Sequence, residues 1–180
     1  MNAINRTYLF DRIRQSVFGG SLTQLQVEGV TRILDYREEN WPKMSDDELA
    51  YLLASVVHET GHQMQPINEF GSEQYLRGKD YYPWIGRGLI QITWSYNYEK
   101  FGIKRAEDAL KWPVALDIAF RGMVKGMFTG RRLSNYIGGG KVNYVEARRI
   151  VNGTDRAKLI AGYAHSFRDA LRQSRQKVAA

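Results

Sequence analysis

Apolar residues recur at helical spacing over most of this chain, and that periodicity constrains the fold more than any other feature. It runs through about residues 9–17, 25–34, 49–57, 114–128, 145–150 and 157–171. Between His62 and Gly88 it is lost in a stretch rich in glycine, proline and aromatic residues. A long irregular segment inside a compact domain is usually functional. We therefore predict a mainly α fold with an irregular or small β segment in an active-site loop.

Local signals predict where several helices begin and end. Ser21 with Gln24, and Ser45 with Glu48, each have the spacing of a capping box and predict helix starts. A short helix is expected around Trp94–Phe101, and Pro113 is expected at the first position of the next. The glycines at 138–140 are interpreted as a flexible connector, and Thr154 or Asp155 as the cap of a final helix.

Composition limits the function classes. The 180 residues predict one domain, and the absence of cysteine means that no disulfide supports it. A formal net charge of +7 favours a polyanionic partner such as nucleic acid, anionic lipid or an acidic cell wall. The basic residues are dispersed and no recognition-helix signature accompanies them, so we expect no nucleic-acid partner. No heptad repeat is evident, so a monomer is expected.

One short motif suggests metal chemistry. The run from His58 to His62 reads H-E-x-x-H, in which two histidines one helical turn apart bind zinc and the glutamate acts as base. Gly61 interrupts the turn that this geometry requires. The third ligand would have to be Glu69 or Glu73, because His165 lies far along the chain. A zinc-dependent peptidase is therefore kept as the lesser alternative.

The same Glu59 suits glycoside hydrolysis. It falls at the border of the apolar stripe of its helix, where a carboxylate is partly removed from water and its neutral form is favoured, as a general acid requires. The reaction needs a second carboxylate across the sugar. Glu69 and Glu73 both lie in the irregular segment that follows, and spacing alone does not choose between them.

Two stretches together resemble a known family. HETGHQMQPINEFG, followed by YYPWIGRGLIQITWSYNYEKFG, is similar to the active-site core of the family 19 glycoside hydrolases, and in particular to phage and prophage endolysins with the same lysozyme-like fold. The resemblance is strong over about Asp46–Phe101. The chain departs from many relatives at His62, where they have glycine, and in the Tyr-Pro-Trp-Ile that precedes Gly86.

The resemblance implies a lysozyme-like, two-lobed helical domain over residues 1–180, with a substrate-cleft lobe at about 62–92. It also implies an inverting mechanism without metal or organic cofactor. In that mechanism Glu59 is the general acid, Glu69 the general base, and Thr93 helps to hold the attacking water. Because the spacing between the two carboxylates varies in the family, Glu73 stays open as the second one.

The resemblance further implies substrate-binding residues. These are Gln91, Tyr96, Asn97 and Asn152, together with Arg87 in the Gly-Arg-Gly match and Tyr82. Tyr82 belongs to an aromatic cluster whose rings are expected to stack on sugars, although Trp94 and Tyr98 are expected to fill the core. The full cluster comprises Tyr75, Tyr81, Tyr82, Trp84, Trp94, Tyr96 and Tyr98.

The substrate is predicted to be peptidoglycan, with chitin as the alternative. The positive charge suits an anionic envelope. The first 15 residues lack the apolar region of a secretory signal, so we expect synthesis in a host bacterial cytoplasm and action on the wall after membrane breach. The final helix is expected to be a packed helix with a solvated basic face, and binding to anionic envelope lipids is the alternative. That face carries Arg156, Lys158, Arg168, Arg172, Arg175 and Lys177.

Overall fold

The computed structural model describes residues 3–176 and confirms a mainly α fold. The helices are α1 (Arg6–Ser16), α2 (Gln24–Asn40), α3 (Asp46–Glu59), α4 (Glu73–Arg77), α5 (Ser95–Lys100), α6 (Trp112–Lys125), α7 (Tyr144–Ala147) and α8 (Ala157–Gln176). Short 3-10 helices span Ala106–Leu110, Leu133–Asn135 and Arg148–Ile150. Two antiparallel pairs complete the fold, β1 (Ile67–Asn68) with β2 (Arg87–Gly88) and β3 (Ile137–Gly138) with β4 (Lys141–Val142).

Helix α3 lies at the centre of the larger core. Every residue from Leu49 to Val57 is buried, which is the pattern of a helix surrounded by protein. Its most extensive packing is against α8. The helix begins as predicted, because Ser45 Oγ accepts a hydrogen bond from the Glu48 amide and Glu48 Oε2 accepts one from the Ser45 amide. Rigid burial on all sides fixes the position of Glu59 at its far end.

Ion pairs join α8 to the first turn of α3. Arg175 lies 2.8 Å from Asp46 and Arg172 lies 2.9 Å from Asp47. Acidic residues in a first turn also interact favourably with the helix dipole. Two residues of the predicted basic face are therefore paired with α3: Arg175 in a largely buried contact and Arg172 in an exposed one. Lys177 lies outside the described residues.

A second, smaller apolar cluster lies apart from the larger core. It contains Ile92, Tyr98, Phe101, Ile103, Ala106, Ala109 and Ile118. Phe128 packs against both clusters. Of the expected cleft segment 62–92, Met64, Leu89 and Ile90 belong to the larger core, whereas Ile92 belongs to the smaller cluster.

Several expected boundaries are corrected. The capping box of α2 is formed by Thr23 and Gln26 rather than by Ser21 and Gln24. This choice leaves Leu22 before the helix, where it packs against the larger core.

The other corrections concern glycines and helix starts. The glycines expected as a flexible connector form the turn of the β3–β4 hairpin, where Gly139 and Gly140 both have positive φ. Helix α8 begins at Ala157, after the expected caps Thr154 and Asp155. Arg156 has φ +56°, a left-handed conformation that an α-helix excludes, so the helix starts only after it. Pro113 is the second residue of α6. Among the described residues, no helix combines the length and hydropathy that crossing a bilayer requires.

Candidate active site

Glu59 is the last residue of α3 and is largely enclosed. Its side chain is 14% exposed, in line with its place at the border of the apolar stripe. The Arg148 guanidinium donates a hydrogen bond to Glu59 Oε1 at 2.5 Å. The carboxyl group is therefore held in one orientation at the end of the best-packed helix of the protein.

Arg148 is a site residue that the sequence analysis missed. Its side chain is 3% exposed, and its Nε also donates to the carbonyl of Asp155 at 3.1 Å. The sequence did carry a signal. Arg148 stands among Tyr144, Ala147 and Ile150, which are buried, so its side chain was also to be expected in the interior. Its partner is 89 residues away, and that pairing is visible only in the fold.

A cleft of about 200 Å³ opens at Glu59, where the two apolar clusters meet. It brings together five of the predicted site residues, from three separate parts of the chain: Glu59, Gln91, Thr93, Asn97 and Asn152. Ile90, Ile92, Phe128 and Val151 complete its walls. An acidic group surrounded by amides and a hydroxyl, on apolar walls, is an arrangement suited to a polar polymer such as a glycan.

Backbone contacts orient the amide side chains of the cleft. Asn97 Nδ2 donates to the Thr93 carbonyl at 2.8 Å. Gln91 Nε2 donates to the carbonyls of Ile67 and Gly88, one in each strand of the β1–β2 pair. The small β segment in the loop therefore serves to fix Gln91 and the residues next to it.

Glu69 follows β1 and lies beside Gln91. Its carboxylate accepts hydrogen bonds from Tyr81 Oη at 2.8 Å and from the Gly86 amide at 2.9 Å. A Cβ at position 86 would lie 3.0 Å from Gln91 Oε1 and 3.3 Å from Glu69 Cβ, so a larger residue there would have to displace one of these side chains. Gly86 thus lies against both Glu69 and Gln91, and Gln91 lines the cleft together with Glu59.

Glu73 has a different environment. It is the first residue of α4 and its exposed carboxylate pairs with Arg77, one turn away, at 2.6 Å. Neither Glu73 nor Glu69 is among the residues that line the cleft. The two differ in that Glu69 accepts a hydrogen bond from Gly86, which lies against the cleft residue Gln91, and this contact favours Glu69 as the second carboxylate.

Comparisons with known proteins agree with this picture. Chitinase 5 of Oryza sativa subsp. japonica is 41% identical over 81 aligned positions, covering 38% of this chain and 27% of the rice protein. An endochitinase of Arabidopsis thaliana is 36% identical over 77 positions, covering 37% of the chain and 28% of the relative. The matched segment thus spans about a quarter of each of these curated relatives. No family model matches the chain.

Solved structures extend the similarity to the whole fold. A family 19, class IV chitinase from Zea mays superposes with a TM-score of 0.50 at 19% identity, over 93% of this chain and 92% of that one. Chitinase C from Streptomyces griseus HUT6037 gives a TM-score of 0.57 at 18% identity, over 96% of this chain and 76% of that one. The chain is thus similar in fold to a family 19 chitinase, and similar in sequence to plant chitinases over about 80 residues. The expected lysozyme-like fold is confirmed.

The structure corrects the expected role of Arg87. It was expected to contact substrate, but the residue is 8% exposed and its guanidinium donates to the Pro83 carbonyl and towards Tyr98 Oη. Arg87 is also a residue of β2 and pairs with Asn68. The structure therefore gives it the role of tying the loop together beneath the cleft.

The aromatic side chains divide differently from the expectation. Tyr98 is fully buried, as expected, but Trp94 is 39% exposed, so the expectation that it fills the core is wrong. Tyr96 is exposed and stacks on Trp94, with ring centroids 6.2 Å apart. Tyr82 is exposed beside Arg77 and does not line the cleft.

The H-E-x-x-H run does not adopt metal-binding geometry. Helix α3 ends at Glu59, and His62 lies in the turn beyond it with φ +68°. Its Nε2 is 3.1 Å from Tyr163 Oη, and its ring packs against Phe18. Over residues 3–176, no cluster of three or more His, Asp or Glu side chains is placed to hold a metal ion. The geometry of this run therefore disfavours the zinc peptidase alternative.

Proposed function

We propose that this protein is a glycoside hydrolase that cleaves β-1,4 bonds of peptidoglycan by an inverting mechanism. The observation that carries the proposal is the cleft lined by Glu59, Gln91, Thr93, Asn97 and Asn152. Glu69 lies next to it, bonded to Gly86 beside Gln91. Residues from three separate parts of the chain converge there on one carboxylate, which supports the proposal.

The roles follow from how each carboxyl group is held. Glu59, enclosed and oriented by Arg148, protonates the glycosidic oxygen. Glu69 accepts two hydrogen bonds, which orient its carboxylate, and it takes the proton of a water molecule on the opposite sugar face. Thr93 helps to position that water. In an inverting enzyme the two carboxyl groups leave room for the water between them.

Peptidoglycan is the preferred substrate because of charge. Its strands carry carboxylates, whereas chitin is neutral, and the protein has a net charge of +7. An endolysin-type role fits these properties: synthesis in a bacterial host and access to the wall once the inner membrane is breached. Chitin is the second candidate, because the relatives over the matched segment are named chitinases.

The test uses purified protein on two polymers, peptidoglycan sacculi and chitin oligomers, with and without EDTA. New reducing ends are measured alongside free amino groups, and products are identified by mass. Reducing ends from sacculi, unaffected by EDTA, support the proposal. Reducing ends from chitin alone would make the protein a chitinase. Free amino groups that vanish with EDTA would make it a metal-dependent peptidase and refute the hydrolase mechanism.

A further inference from the structure

A row of aromatic rings extends from the candidate base along the surface. Tyr81, which donates to Glu69, packs edge-on against Trp94 with ring centroids 5.5 Å apart. Trp94 in turn stacks on Tyr96 at 6.2 Å. We call Tyr81, Trp94 and Tyr96 the aromatic row. Partly exposed rings in a continuous row suit the apolar C–H faces of successive sugars.

Lys100 lies at the far end of this row. Its Nζ is 5.4 Å from the centroid of the Tyr96 ring, one helical turn earlier in α5. The same ammonium donates to Asn97 Oδ1 at 3.1 Å, and Asn97 lines the cleft of Glu59. Lys100 is exposed, and within residues 3–176 it forms no ion pair. It is a positive charge placed beside both the aromatic row and the cleft, without an acidic partner.

We infer that Lys100 is a specificity residue whose ammonium binds a carboxylate of the acidic amino-sugar unit or its attached peptide. This inference rests on the proposed function and names the chemical feature that separates the preferred substrate from neutral chitin. A glycan lying along the exposed edges of the aromatic row would bring its substituents close to this ammonium. The Lys100 ammonium attracts an acidic glycan electrostatically, whereas it offers a neutral glycan no such attraction.

The contact with Asn97 raises a competing role, in which Lys100 acts only by orienting that amide. The two roles differ in their dependence on substrate charge. An orienting residue affects every glycan that Asn97 contacts, whereas a carboxylate-binding residue affects acidic glycans alone. A comparison of charged and neutralised forms of one polymer therefore separates them.

The experiment measures kcat/KM on intact sacculi and on sacculi whose carboxylates have been amidated with ethanolamine. The enzymes are wild type, Lys100→Gln, Lys100→Arg and Lys158→Gln. Lys158 is an exposed α8 residue away from the cleft, so its variant matches the charge change of Lys100→Gln. Exposed ion pairs contribute up to about 1 kcal/mol, so Lys100→Gln should lose about threefold to fivefold on intact sacculi. Lys100→Arg and Lys158→Gln should stay close to wild type.

On amidated sacculi, Lys100→Gln and wild type should be equal. An equal loss on both polymers would overturn the inference in favour of the orienting role, and no loss on intact sacculi would overturn it outright. Wild-type activity on chitin oligomers with none on sacculi would instead refute the proposed substrate, and the inference with it. The two failures are thus distinguishable in one set of assays.

Discussion

Tyr81 connects the candidate base to the aromatic row. Its hydroxyl donates to Glu69 Oε1 while its ring packs on Trp94. Burial, together with the adjacent Glu69 carboxylate, raises the pKa of Tyr81 to about 12. The hydroxyl therefore stays protonated, and remains a donor, at any pH at which the enzyme would act. One phenol thus both orients the base and supports the surface on which a sugar would lie.

Tyr81→Phe should lower kcat without unfolding the protein. The ring packing is kept, but Glu69 loses a donor, and a hydrogen bond to a charged group is worth about 1.5–3 kcal/mol. If about half of that acts on the transition state, kcat falls about fourfold to twelvefold. The measurement is the initial rate of reducing-end release, with a thermal melt of each protein. Tyr75→Phe is the matched control, because Tyr75 is exposed and contacts Lys79 instead. Equal rates for Tyr81→Phe and wild type would contradict the positioning of Glu69 by Tyr81.

His58, next to the candidate acid, should make stability sensitive to mild acid. Burial lowers the pKa of His58 below its ordinary value of 6.5. The negative charge of Glu59 acts to raise this pKa, and the positive charge of Arg148 acts to lower it further. Because the unfolded chain then binds the proton more tightly, stability falls as pH drops below about 6.5. Urea melts of wild type and His58→Gln across pH 7.5 to 5 should show a shallower loss for the variant. Identical slopes for wild type and His58→Gln would mean that His58 does not contribute to the pH dependence of stability.

At the scale of elements, the backbone of α2 comes into direct contact with the turn that follows α3. Gly29 faces Met64, and a Cβ at Gly29 would overlap the Met64 carbonyl oxygen. Met64 itself is buried, with φ +57°. This contact fixes the chain on its way from Glu59 to the loop that carries Glu69. A glycine that appears to weaken a helix is therefore required by its neighbour.

Gly29→Ala should destabilise the fold, although alanine is the better helix former. Overpacking costs about 1–3 kcal/mol, which exceeds the gain in helix propensity. Gly162→Ala, in α8, is the control, because a Cβ there meets no atom within 4 Å. That variant should be neutral or more stable. Chemical denaturation of the two variants beside wild type gives the comparison, and a Gly29→Ala protein as stable as Gly162→Ala would contradict the close approach.

Sequence predicted elements well where one pattern dominated and less well where patterns competed. Ser45 and Glu48 form the expected capping box because α3 has no rival start. Ser21–Gln24 and Thr23–Gln26 have the same spacing, and the packing of Leu22 decides for the second. Helix α4 was missed because five residues show no periodicity.

At the scale of the whole molecule, the residues that line the cleft were predictable from the sequence. The residues that hold them in place, such as Arg148, were not. Glu59, Gln91, Thr93, Asn97 and Asn152 belong to stretches with a recognisable pattern, and they meet in one cleft. Arg148 reaches Glu59 only through the folding of α7 against α8, so no local signal names its partner. Arg87 was misread for the same reason, since its burial depends on Tyr98 and Pro83.

The most direct test of the central claim is the rate of reducing-end release from sacculi by wild type, Glu59→Gln, Glu69→Gln and Glu73→Gln. General acid–base groups contribute about 10²–10⁴-fold, so Glu59→Gln and Glu69→Gln should each lose at least about a hundredfold. Glu73→Gln removes only an exposed ion pair and should retain wild-type activity. Thermal melts confirm that each variant is folded. A folded Glu59→Gln or Glu69→Gln protein with wild-type activity would contradict the two-carboxylate site, and loss in Glu73→Gln with Glu69→Gln intact would assign the base to Glu73.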